Sequence, residues 1–136
     1  MSSKLTVGVV GQGFVGGSLT QVLAERGVDA ILGHHSHVVQ PMESYRTRRD
    51  PDRVVPIYYS LGNLVNPCSA PFMCRSAVAR LALAKGTLAG ATRTYVEHAA
   101  LHEVDQRVDL ARRVITLEPV AAARSIASEL TQELGR

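Results

Sequence analysis

Residues 4–35 read KLTVGVVGQGFVGGSLTQVLAERGVDAILGHH, and the fold turns on this stretch. KLTVGVV (4–10) is a short, β-branched apolar run that halts at Gly11, the pattern of a buried strand. From Phe14 to Arg26 the apolar positions Val15, Leu19, Val22 and Leu23 recur at spacings of three and four. Gly27 stands as a C-terminal stop, so the spacing predicts a helix. VDAIL (28–32) then supplies a second strand. Right-handed crossover makes the two strands parallel, which places the Gly11–Gly17 turn and the histidines after Gly33 on one sheet edge. The expected class is α/β: a parallel-sheet β-α-β opening, then mixed strands and a C-terminal helix.

Outward from this opening, Val38–Tyr45 is semi-apolar, and Arg46–Arg53 is a polar loop with turn chemistry at Asp50-Pro51-Asp52. A strand resumes at Val54–Tyr59 and ends at Ser60-Leu61-Gly62-Asn63; Asn66–Cys74, with Pro67 and Pro71, is expected to be irregular. SAVARLAL (76–83) and ATRTYVEH (91–98), separated by Lys85-Gly86-Thr87 and Gly90, read as a hairpin. Residues 101–112 are polar without a decisive period, RVITL (113–117) is a short strand, and Pro119 is expected to open a helix reaching Leu134. One domain is expected over 1–136, with a glycine-rich β-α unit in 1–27 and the remainder in 28–136.

The composition fits this reading: 46% hydrophobic and 20% charged residues suit one soluble domain of 136 residues. The net charge of +3 is modest, and the basic run Arg46, Arg48, Arg49, Arg53 is broken by Asp50 and Asp52. That run reads as a solvated loop, and no nucleic-acid partner is expected. Cys68 and Cys74 have neither zinc-knuckle spacing nor the look of a disulfide framework. The apolar run Val7–Val10 is interrupted by glycine and too short for a signal peptide or membrane span, so a cytoplasmic protein without a membrane segment is expected.

Gly11-Gln12-Gly13-Phe14-Val15-Gly16 is a G-x-G-x-x-G that follows a strand and opens a helix. In such a turn Gly11 allows the tight bend, Gly13 lets a pyrophosphate approach the backbone, and Gly16 lets helix and strand pack closely, with helix N–H groups free to meet the anion. Residues 4–27 resemble the opening of the UDP-glucose and GDP-mannose dehydrogenases. That resemblance implies an acidic residue closing the second strand to hold the ribose; here the position falls on His34, with Asp29 too early. NAD binding is therefore not expected, and a glycine turn that only packs a helix onto a strand is the simpler reading of Gly11, Gly13 and Gly16.

Gly33-His34-His35-Ser36-His37 carries the strongest chemical signal, three of the five histidines within four positions at a strand end. Neutral imidazole is a good ligand for zinc, manganese or iron. If the strand's alternation continues, His35 and His37 project to one side and His34 to the other.

GVDAILGHHSHVVQPMESY (27–45), followed by VVPIYYSLGNLVN (54–66), resembles the closing half of the bacterial capsule (poly-γ-glutamate) biosynthesis proteins. Their phosphatase-like domains carry Gly-His-His-x-His-Val and then Tyr-Ser-Leu-Gly-Asn; residues 76–98 and 113–134 fit more loosely. The resemblance implies a partial metallophosphatase-like sandwich and a divalent metal, manganese, iron or zinc, held by His35 and His37. It makes His34 a phosphate-facing catalytic candidate and Asn63 a substrate contact. Glu43 and the Gly62-Asn63 turn shape the loop, and the substrate is a phosphoester or a precursor of an anionic polymer. The upstream ligands of such a two-metal centre are missing, since residues 1–33 hold no Asn and no His, and only Glu25 and Asp29 as carboxylates.

Three readings follow. The first is a metal-dependent phosphoesterase-like protein of capsule synthesis, incomplete and inactive as the chain stands unless other groups replace those ligands. The second is a nucleotide-binding module of nucleotide-sugar dehydrogenase type. The third is a truncated or recombined, non-catalytic chain whose two fragments meet at Arg26–Val28.

Overall fold

A computed structural model of the chain describes residues 7–11, 14–88, 90–120 and 124–125. In chain order the elements are β1 (Val7–Gly11), α1 (Phe14–Glu25), β2 (Ala30–His34), β3 (Met42–Arg46), β4 (Val54–Tyr58), a 3-10 turn (Pro71–Met73), β5 (Arg75–Leu88), β6 (Ala91–Asp109), β7 (Val114–Pro119) and β8 (Arg124–Ser125). They form two small sheets and one described helix. The first sheet runs β1-β2-β4-β3, and in the second β5-β6-β7 are neighbours with β8 also on β6.

In the first sheet β1 pairs with β2 in parallel, Val7 opposite Ala30 and Gly11 opposite His34. β4 continues the parallel set on β2, and β3 closes the edge antiparallel to β4. Alternation along β2 explains its unbroken apolar run. Ala30 and Leu32 belong to a core shared with Tyr58, Ala77, Ala99 and Leu101, and so face the second sheet. Ile31, between them, packs with Ala24 and Val28 and with Val55 and Ile57 of β4, on the helix side. A strand buried on both faces has no polar phase to show. The α1 helix ends where Gly27, at φ +101°, takes the left-handed conformation that most side chains avoid.

Several expectations need correction. The second strand lies at 30–34, two residues later than predicted, because Asp29 is held outside it by Arg53 (Nη2 to Oδ1, 3.0 Å). The hairpin is far longer than its predicted arms: Lys85-Gly86-Thr87 lies within β5, opposite Tyr95, Thr94, Arg93 and Thr92, and the reversal falls after Leu88. The undecided segment 101–112 is the continuation of β6 as far as Asp109. Several of its polar residues are paired with neighbouring strands, which masks the period: Arg75 of β5 grips Asp105 (2.6 Å) and Glu103 (3.0 Å) of β6.

Pro119 closes β7 rather than opening a helix, and Arg124–Ser125 pairs with β6 as a short strand. The rest of the predicted C-terminal helix lies outside the described residues. Cys68 and Cys74, whose spacing does not read as a disulfide framework, are joined in a disulfide. Pro71 starts the single 3-10 turn between them, which folds the segment back and brings their Cα atoms within 5.0 Å. Among the described residues no helix is long and apolar enough to cross a membrane.

Candidate functional site

The histidine loop leaves the C-terminal end of β2. His34 is the last strand residue, exposed and in register with Gly11 of β1. Beyond it the chain stops being a strand. His35 has φ +98° and His37 φ +61°, so the alternation argument does not apply past His34. A non-glycine residue in the left-handed region costs on the order of 1–3 kcal/mol and persists only where its surroundings hold it.

Here the surroundings hold the loop at both ends. Leu61 N–H donates to Gly33 O (3.2 Å) on the entry side. On the exit side Gln40 N–H donates to Ser60 O (3.0 Å), and Val39 forms a bridge with Leu61. Within the loop Ser36 Oγ donates to Val38 O (3.0 Å). The two predicted blocks, Gly33–Val38 and Tyr59–Asn63, are thus one structural unit.

At its centre His37 Nδ1 lies 2.6 Å from Asn63 Oδ1. His37 is exposed, whereas Asn63 retains 5% of its surface. The His35 and His37 rings are tilted by 43° with centroids 6.4 Å apart. Two imidazoles sharing one tetrahedral ion at about 2.1 Å per Zn–N bond have centroids about 5 Å apart, closer than these two rings stand. Among the described residues no group of three His, Cys, Asp or Glu side chains converges as a metal site.

Asn63 is placed by a glycine that nothing else can replace. Gly62 has φ +72°, and a Cβ there would sit 2.9 Å from Arg75 O and 3.2 Å from Ser76 Cα. Ser76 Oγ (3.0 Å) and Ala77 N–H (2.9 Å) both donate to Leu61 O, tying the turn to β5. Glu43, matched to the family's loop-shaping position, accepts a hydrogen bond from Tyr59 Oη. Burial first, and then this carboxylate, push the Tyr59 phenol up to about 12.

The segment after Asn63 is organised by a residue the sequence reading missed. Gln106 of β6, 5% exposed, directs Nε2 at three backbone carbonyls, Asn63 O (3.0 Å), Leu64 O (3.1 Å) and Asn66 O (3.1 Å). Its Oε1 accepts from Cys68 N–H (2.7 Å), and its own N–H donates to Cys74 O (2.8 Å). Gln106 and the disulfide together fasten residues 63–74 to β6. A signal was present: Val104, Gln106 and Val108 share one phase of a strand, and an amide amid valines on a strand face asks for buried partners.

Of the glycine-turn candidates, Gly11 ends β1 and Gly16 lies in the first turn of α1, while Gly13 lies outside the described residues. The arginine-rich loop is gathered at Glu25. Its carboxylate accepts Arg48 N–H (2.7 Å), Arg49 N–H (3.1 Å) and Tyr45 Oη (2.9 Å), and the Arg48 bond chiefly holds it below the usual carboxylate range.

Residues 17–68 match the family model described as bacterial capsule synthesis protein PGA_cap. The match begins inside α1, upstream of the expected junction at Arg26–Val28, and ends at Cys68, so the looser resemblance of 76–98 and 113–134 lies beyond it. Among curated proteins the chain is similar to the PGA biosynthesis protein CapA of Bacillus subtilis (strain 168), 40% identical over 47 residues. Those residues are 35% of this chain and 10% of that protein, so the matched stretch spans about a tenth of the relative's length.

Proposed function

We propose that residues 17–68 form the closing loop of a metal-dependent phosphoesterase-like site in a capsule-synthesis protein. One observation carries this: His37 has one ring nitrogen engaged by a buried amide and its other nitrogen left for a ligand, with His35 beside it in the same strained loop. Backbone strain held in place by surrounding bonds is the usual accompaniment of a binding or reacting site. A divalent metal would be held by His35 and His37, and when bound it polarises a phosphoryl oxygen and lowers the pKa of a coordinated water. The chain's own residues orient these donors. His34, exposed at the strand end beside Gly11, faces solvent where a phosphoryl group would approach.

The metallophosphatase-like layering is also part of the proposal, supported by the helix and second sheet covering opposite faces of the first. With so small a share of the relative's length represented, catalysis by this chain alone requires ligands beyond the two histidines. The disulfide favours an oxidising compartment over the expected cytoplasm, because such bonds are kept reduced in most cytosols.

The test is direct. Purified chain is loaded with manganese or zinc, desalted, and measured for bound metal and for phosphomonoesterase and phosphodiesterase turnover. Retained metal with turnover above the metal-only blank supports the reading. Neither metal retention nor turnover would leave the loop a structural remnant.

A further inference from the structure

We propose that Asn63 is a positioning residue that fixes the tautomer of His37. The expected role, a substrate contact, requires an accessible amide. Asn63 is instead 5% exposed, and its Nδ2 is sealed from solvent with no hydrogen-bond partner. The one partner of its side chain is His37 Nδ1, 2.6 Å from Oδ1.

An amide oxygen can only accept, so this contact requires the proton to be on Nδ1. In a neutral imidazole the other nitrogen, Nε2, is then bare and available to a metal or to a proton. An outer partner of this kind commonly changes metal affinity by about 10–100-fold when removed.

Three further contacts make Asn63 rigid enough for the task. Its backbone carbonyl is held by Gln106 Nε2 (3.0 Å), and the preceding Gly62 is confined by Arg75 O and Ser76. Gly62 N–H also donates to Ser60 Oγ (3.3 Å). The amide therefore approaches His37 from a fixed direction, and His37 in turn is held at its positive φ. The tautomer assignment stands on this geometry alone; its consequence for metal binding rests on the function proposed above.

The experiment uses the full chain, labelled with 15N, stripped of metal with EDTA, and held about two pH units above the ordinary histidine value so that the rings are neutral. Long-range 1H–15N correlation reads which ring nitrogen of His37 is protonated. The expected result is protonated Nδ1 in the wild type, retained in Asn63→Asp, whose carboxylate also accepts, and lost to the Nε2–H form in Asn63→Ala. Protonated Nε2 in the wild type overturns the proposal, and this reading needs no variant to fold.

Zinc titration of the same samples separates the two claims. At least tenfold weaker binding by Asn63→Ala extends the positioning role to the metal. No zinc binding by a wild type with Nδ1 protonated defeats the metal reading and leaves the tautomer assignment intact. Zinc binding unaltered by Asn63→Ala, with the tautomer also unaltered, defeats the assignment and leaves the metal reading intact.

Discussion

Replacing Gln106 by leucine removes every side-chain bond that fastens residues 63–68 to β6 while keeping about the same volume. The donor Nε2 serves three carbonyls at 3.0–3.1 Å, and Oε1 serves Cys68 N–H at 2.7 Å. Only the bond to Asn63 O is fully buried, so leaving that carbonyl unpaired costs about 1–3 kcal/mol. The other three groups are partly exposed and recover water, so each adds about 0.5 kcal/mol, for a total of about 3 kcal/mol. For a domain of this size that corresponds to a fall in Tm of about 10 °C. Thermal unfolding followed by circular dichroism measures it, and hydrogen exchange at Cys68 N–H reports whether the loop has come loose. Gln106→Glu is a stricter case, because it keeps the acceptor but sets a carboxylate against three carbonyl oxygens, so it should cost at least as much. A Tm within about 2 °C of wild type for Gln106→Leu would refute the claim that this amide organises the loop.

Reduction of the Cys68–Cys74 disulfide, or Cys68→Ser with Cys74→Ser, should destabilise the chain by about 2 kcal/mol on the loop-entropy estimate for so short a closure, read as a lower urea midpoint; an unchanged midpoint would contradict it. Tyr58 and Tyr59 are both raised to about 12 from the ordinary 10.0, chiefly by burial. A group whose folded pKa is raised contributes stability below its unfolded pKa and loses it as pH climbs through the folded value. Spectrophotometric titration should therefore show Tyr58 and Tyr59 still protonated above about pH 10, with unfolding on the alkaline side between about 10 and 12; ionisation of both near 10 would count against the burial. Calorimetric titration with NAD and NADH should give weak binding or none, since His34 stands where a ribose-binding acid is needed; micromolar binding abolished by Gly13→Val would show the glycine turn to be a working dinucleotide site.

Much of the first sheet was legible because its signals are local. The helix has a 3.6-residue rhythm and a glycine stop, and the strand before the histidines is an apolar run. What escaped was long-range. The extent of the hairpin depends on ion pairs such as Arg75 with Asp105 and Glu103, which convert polar residues into good strand residues only once the strands are adjacent. The disulfide depends on a single turn whose folding the spacing of the cysteines does not disclose. The pairing of His37 with Asn63 spans 26 positions. The histidine block and the Ser-Leu-Gly-Asn block were each recognised as a motif, and their contact belongs to the fold. The period-2 argument failed at His35 and His37 for a backbone reason, since positive φ at both turns the chain out of the strand on which alternation depends.

The claim that this loop is a metal-binding element is tested most directly by equilibrium dialysis of zinc at neutral pH against the wild type and the His35→Ala, His37→Ala and His34→Ala variants. Binding by the wild type should be weaker than at a closed four-ligand site. It should be lost in His35→Ala and His37→Ala and largely kept in His34→Ala. Equal zinc retention in all three variants, or loss confined to His34→Ala, would contradict the account.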